Sequence, residues 1–335
     1  DLKPEGTNSF EVGMNMRFLK NFELDVTYYN AKTMNQTFNP ELPVGEYARI
    51  YIQTGAVRNQ GLELALNYNN TWKDFTWNTG VTYSMNKNKI LTLADNAINP
   101  ITGEKFSISS LNMGGLGSTR FILKEGGSMG DIYSLMDLKR DANGAVYIDE
   151  NNSVVTESLE ANNYIKLGSV LPKGNLAWRN NFSWKNINVA FLVSARLGGV
   201  VFSRTQAVLD NFGVSEASAA ARDKGYVSVN GNDRVNPEGW YSVVAGGTAV
   251  PQYYIYSATN IRLQEASIGY TIPRKWLGNV CDIKVSLIGR NLWMIYNKAP
   301  FDPESVASTD NFYQGIDYFM MPSLRNIGFN LSFKF

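Results

Sequence analysis

The stretch FEVGMNMRF-LKN-FELDVTY, Phe10 to Tyr28, decides the fold. Phe10, Val12, Met14, Met16 and Phe18 fall on one side of an extended chain, and Glu11, Gly13, Asn15 and Arg17 on the other. That is the period of two of a β-strand with one apolar face. After Leu19-Lys20-Asn21 the alternation restarts as Phe22, Leu24, Val26 and Tyr28 against Glu23, Asp25 and Thr27. Two alternating runs across a short polar break make a hairpin.

The same device recurs along the chain. Leu62 to Tyr68 and Phe75 to Met85 form a second hairpin, and Leu176 to Trp184 and Ile187 to Leu197 a third. Ile261 to Ile272 follows, with a phase slip at Gln264-Glu265 that predicts a bulge, then Cys281 to Leu287 and Ile327 to Phe335. The nine strands are joined by connections that alternate in length. Residues 19–21, 69–74, 185–186 and 273–280 are short, while the stretches between those hairpins are long. Outer-membrane barrels keep short turns on the periplasmic side and long loops outside, and need about 9 to 11 residues per crossing. Aromatics mark both strand ends. Phe18, Phe22, Trp72, Phe75, Trp184, Trp276 and Phe335 stand beside the short turns, with Phe38, Tyr83, Trp293 and Tyr296 opposite, as two interfacial girdles require. We read Trp184, Trp276, Trp293 and Phe335 as membrane-interface residues. The predicted fold is all-β, a transmembrane antiparallel β-barrel.

Composition narrows the chemistry. The 335 residues are 18% charged, against roughly 25% in soluble domains, and 44% hydrophobic, with aromatics at 13%. Lys plus Arg (31) nearly balances Asp plus Glu (30), which leaves no net field to attract nucleic acid or an anionic membrane surface. With no histidine, the chain supplies no Ser-His-Asp or Cys-His pair and no imidazole zinc site. Cys281 alternates within a strand pattern and is read as a small apolar residue. No run approaches the roughly 18 apolar residues of a membrane helix.

Nine strands ending on the short-turn side put Asp1 on the long-loop side, whereas bacterial barrels have even strand counts. The expectation is therefore the C-terminal portion of a larger barrel, residues 1–335, whose open edges pair with strands from elsewhere.

The segments resemble the C-terminal end of the SusC/RagA family, TonB-dependent transporters of Bacteroidetes outer membranes. The resemblance rests on Leu2-Lys3-Pro4-Glu5 leading into Phe10 to Gly13, on Leu24 to Tyr29, and on Gly55 to Glu63. It continues through Ile261-Arg262-Leu263, Gly269 to Pro273, Gly289 to Leu292, Asp302-Pro303-Glu304 and the closing Arg325 to Phe335. It implies a barrel of about 22 strands, of which these nine are the last. It implies a plug domain and TonB contacts outside this chain, and import of large nutrients, glycans or peptides, with a SusD-like lipoprotein closing the mouth. Glycan is the cargo more frequent in the family. No cofactor is implied, and the chain is not expected to be an enzyme.

Candidate residues follow from this frame. Asn15, Arg17, Glu63, Asn67, Asn78, Asp282 and Lys284 lie on the polar faces and are expected to face a wet lumen or a docked plug. Trp240, Tyr241, Tyr253, Tyr254, Phe312 and Tyr313 in the long loops are candidates to stack on sugars or grip peptide side chains, or to pack on one another. Asp141, Asn143 and Glu150 echo a calcium loop, but Lys139 stands at its first ligand position, so a turn at Asn143-Gly144 is favoured and no metal is expected. Asp302 and Glu304 offer paired acids and read as a loop turn rather than a glycosidase pair. The Gly114-Gly115-Leu116-Gly117 and Gly126-Gly127 stretches read as flexible loop. Two other classes compete. One is a soluble all-β carbohydrate-binding protein or glycosidase, which needs no detergent; the other is a non-transporting surface receptor barrel.

Overall fold

The computed structural model describes residues 4–38, 52–98, 103–247, 249–278, 280–309 and 313–334. Nine strands form one antiparallel sheet whose spatial order equals their chain order. They are β1 (Gly6–Phe18), β2 (Phe22–Phe38), β3 (Ile52–Trp72), β4 (Phe75–Thr92), β5 (Gly174–Trp184), β6 (Ile187–Leu197), β7 (Asn260–Ile272), β8 (Asp282–Asn297) and β9 (Asn326–Lys334). These are the nine read from alternation. A sequential meander with one apolar and one polar face is the wall of a barrel, opened here at β1 and β9.

Several strands run well past the bilayer. β3 has 21 residues and β4 has 18, about twice the roughly 9 to 11 needed to cross, so their loop-side halves stand above the membrane. The expected bulge is present, with the β7–β8 register shifting between Leu263 and Glu265 and that of β6–β7 between Leu192 and Val193.

The outer face carries a ladder of rings that crosses six strands. Phe18 stacks on Phe22 at 5.3 Å, Phe22 meets Tyr68 at 4.7 Å and Tyr68 meets Trp77 at 5.3 Å. Trp77 stacks on Phe182 at 6.1 Å, and Phe182 reaches Phe191 at 6.2 Å. Indole N–H groups facing hydrocarbon need partners, since no water is there to supply one. Trp77 Nε1 donates to Asn180 Oδ1 at 3.1 Å, and Trp178 Nε1 to Thr79 Oγ1 at 3.0 Å, each across the β4–β5 seam. Trp184, Trp276 and Trp293 are all exposed on the described surface. Phe335 lies outside the described residues. Phe38 departs from its expected girdle position: it is buried with Val57, Ile90, Leu93 and Leu123 in a small core at the loop end.

The long connections are packed rather than open. Residues 110–134 and 165–169 form a four-stranded sheet, and Val200–Ser203 pairs with Ile255–Ser257 and, in parallel, with Ile316–Asp317. Gly114 and Gly115 therefore sit in a strand, Ser110–Leu116, in place of the expected flexible loop. The close approach of the Thr119 backbone explains it, because a β-carbon on Gly115 would lie 2.0 Å from the Thr119 carbonyl oxygen. Three α-helices among the described residues complete the assembly: α1 (Arg204–Asn211), α2 (Glu216–Lys224) and α3 (Pro237–Val244). Each has a side-chain N-cap, Ser203, Ser215 and Asn236 respectively. Phe121, Ile132, Leu138, Phe202, Val244, Tyr254 and Ile316, drawn from all three long connections after β4, share one buried core.

Candidate functional site

The strand register places all seven predicted polar residues on one face of the sheet. Asn15 is opposite Asp25, with its amide 3.3 Å from Asp25 Oδ2, and Arg17 is opposite Glu23 at 3.2 Å. Glu63 sits between Thr27 and Ser84, Asn67 between Glu23 and Gly80, and Asn78 between Asn69 and Asn181. Asp282 faces Lys334, and Lys284 lies between Thr271 and Ser332. The residues that alternate with them are almost all apolar or aromatic, such as Met14, Met16, Phe18, Leu62, Leu64, Trp77, Ile283 and Val285, so one strand period separates the two solvents.

Towards the loop end this polar face holds a cavity of about 740 Å³. Asp25, Thr27, Glu63, Thr82, Ser84, Asn175, Ser194 and Arg196 line it, and Glu304 closes it from the last long connection. Carboxylates, hydroxyls, an amide and a guanidinium in one concavity suit a polar, extended ligand.

Glu304 is held there by a buried arginine. Arg262, 4% exposed, donates through Nη2 to Asp302 Oδ1 at 2.9 Å and contacts Glu304 Oε2 at 2.8 Å. Its Nε reaches Asn260 Oδ1 at 3.2 Å and its Nη1 reaches Asn291 Oδ1 at 3.4 Å. Ser323 donates to Asp302 from 21 residues further on. Burial opposes the charge on Asp302, but the donors Arg262, Ser323 and the Glu304 N–H outweigh it and hold that carboxyl below its ordinary range. Residues 302–304 do form a turn, and both acids are engaged by one guanidinium. Alternation alone places Arg262 inward, between Ile261 and Leu263. Its partners 40 residues away carry no local signal.

The loop candidates are divided by the structure. Tyr254 is buried, donating to Asp210 Oδ2 at 3.0 Å, and burial first and Asp210 second push its phenol far up. Trp240 meets Tyr253 edge to face at 5.2 Å, and Tyr313 lies against Phe121 at 6.3 Å while remaining exposed. Tyr241 lines a separate cleft of about 470 Å³ among the three helices, with Asp210, Arg222 and Glu238. Phe312 lies outside the described residues. Asp141 accepts the N–H groups of Asn143 and Ala145, closing a turn with Gly144 at φ 82°. Among the described residues no three acids or thiols converge on a cation site.

A family model described as TonB dependent receptor-like, beta-barrel, matches residues 1–292. The chain belongs to the TonB-dependent receptor β-barrel family. It is an outer-membrane β-barrel chain, and the family consists of receptors and transporters. Two curated relatives from Formosa agariphila, TonB-dependent receptor P3 and TonB-dependent receptor P26, are 26% and 27% identical to it, covering 100% and 99% of this chain. The chain spans about a third, 34%, of the length of each. The RagAB peptide transporter superimposes with a TM-score of 0.72 over 99% of this chain and 35% of its own, at 16% identity. RagAB in the "open-open" state gives 0.70 at 17% identity. The SusC/RagA resemblance drawn from the residues stands in this TonB-dependent receptor.

Proposed function

We propose that residues 1–335 form the C-terminal portion of the barrel of a TonB-dependent importer of large polar nutrients, oligopeptides or glycans. The polar face is the lumen wall, met by a plug outside this chain, and the packed long connections form the outer mouth. The observation that carries this reading is the cavity of about 740 Å³ on the polar face, into which Glu304 is delivered by a loop pinned to the wall through Arg262. A wall alone would need no such placement.

A SusD-like lipoprotein, as the resemblance implies, closes over that mouth. Support comes from Phe212 and Val214, large apolar residues exposed beside α1 on the loop assembly. TonB acts through the part of the transporter outside this chain. RagAB carries peptide, while the hydroxyls, amides and carboxylates on this wall serve peptide and glycan alike.

The test is uptake. Cells deleted for the gene are supplied with scarce oligopeptides or scarce glycans and compared with cells carrying the intact gene or a Glu63→Gln/Glu304→Gln variant. Loss of uptake of one class on deletion, with partial loss in the variant, is expected. Undiminished uptake of both classes after deletion would make the protein a non-transporting receptor.

A further inference from the structure

A net charge of +1 hides a segregation of cations that the fold makes visible. Each short turn of the wall presents exposed basic residues with an aromatic ring within two residues. Lys20 stands two residues before the half-buried Phe22, Lys73 adjoins Trp72, and Lys185 lies over the Trp184 ring at 5.5 Å. Arg274 and Lys275 precede Trp276 in a short 3-10 turn. Against these five cations the described residues of the four short turns include one acid, Asp74.

Directly above these turns the outer face is not flat. Phe22, Leu66, Tyr68, Trp77, Val81 and Trp178 bound an apolar groove of about 500 Å³. It is continuous with the face that meets the bilayer, so what fills it in the membrane is hydrocarbon. A cationic collar one turn away from a hydrocarbon groove is the complement of an anionic head group joined to an acyl chain. We infer that the short-turn rim between β1 and β6 is a binding site for an anionic glycerophospholipid of the periplasmic leaflet. Its phosphate sits at the β3–β4 turn beside Lys73, flanked by Lys20 and Lys185 on the short turns to either side, and one acyl chain lies in the Trp77–Trp178 groove. This inference rests on barrel membership and not on the transported cargo.

The backbone supplies a clean test. Lys20, Lys73 and Lys185 all have left-handed φ, at 62°, 53° and 50°. Asparagine adopts that conformation more readily than lysine, so Lys→Asn removes the charge while suiting the turn. Full-length transporter extracted from outer membranes is analysed by native mass spectrometry after equilibration with phosphatidylglycerol, phosphatidylcholine or lipid A. The expected result is retention of phosphatidylglycerol over the other two. K20N/K73N/K185N should weaken it roughly a hundredfold, about fivefold per lysine. Val81→Phe, which fills the groove and leaves every charge, should weaken retention of phosphatidylglycerol as well. Lys→Arg at all three turns should restore it. Equal retention of phosphatidylglycerol and phosphatidylcholine, preference for lipid A, or unchanged retention in the asparagine variant overturns the proposal. Each variant is scored only after heat-modifiable migration shows a closed barrel, and the three single Lys→Asn variants replace the triple one if it fails that check.

Discussion

Arg262 is the residue on which the loop end depends. It is buried, paired with two carboxylates and hydrogen-bonded to two asparagines, so removing one partner strands charge where water cannot reach it. Breaking such a pair costs about 3–5 kcal/mol. Arg262→Ala or Asp302→Asn should therefore free residues 298–325, which faster tryptic cleavage there would register while the wall stays closed. The pH dependence has a definite sign. Asp302 is held below its unfolded value of about 3.9, so its contribution is fully present above that value and is lost as pH falls through the lower folded value. Cleavage of this loop by pepsin, which works in acid, should accelerate only below about pH 4. On the opposite face, Trp77 and Asn180 are coupled through one hydrogen bond in an apolar setting. Asn180→Leu should cost about 1–3 kcal/mol by orphaning the indole, and Trp77→Phe in the same chain should recover most of it, read as a double-mutant cycle of urea midpoints.

At the scale of elements, the wall and the loop assembly are stabilised differently. Neighbouring wall strands approach closely where glycine permits, and Gly61 shows why. A β-carbon there would lie 2.3 Å from the Met85 carbonyl oxygen and 2.5 Å from the Tyr29 ring, whose hydroxyl reaches Asn86 across the glycine. Gly61→Val should abolish the heat-modifiable barrel on gels. Adding Tyr29→Ala should not rescue it, because the Met85 backbone remains in the way. The loop assembly is instead a small globular core. Phe202 is fully buried in it, on the strand that joins Ile255–Ser257 to Ile316–Asp317. Phe202→Ala should cost about 3–5 kcal/mol and lower hydrogen-exchange protection across all three long connections together, with β1 to β9 unchanged. Loss confined to residues 200–203 would mean the connections fold independently.

For the whole molecule, the open edges decide behaviour. Among the described residues β1 pairs only with β2 and β9 only with β8, which leaves two rows of unpaired backbone groups that a bilayer does not tolerate. The chain expressed alone should aggregate in detergent and carry no cargo, while coexpression with the remaining strands should yield a closed barrel. A stable monomer of the isolated chain, dispersed in detergent, would contradict this account.

The sequence by itself determined the wall. Alternation is local, each strand's two faces are written in its own residues, and the hairpin breaks set the neighbours, so nine strands, their order and the bulge at Gln264 were all legible. The apolar and polar faces of Asn15, Glu63 and Lys284 followed from the same period. Only the tertiary structure decided what the long connections do. Their strands are two to seven residues long and their core joins Phe121, Phe202 and Ile316, residues far apart in the chain with no shared period. The same holds for Arg262 and Asp302, and for the cations of four separate turns. Each is ordinary alone and acquires meaning only when the pairing of the meander brings distant residues to one place, because a side chain's partner across space leaves no mark on its neighbours in sequence.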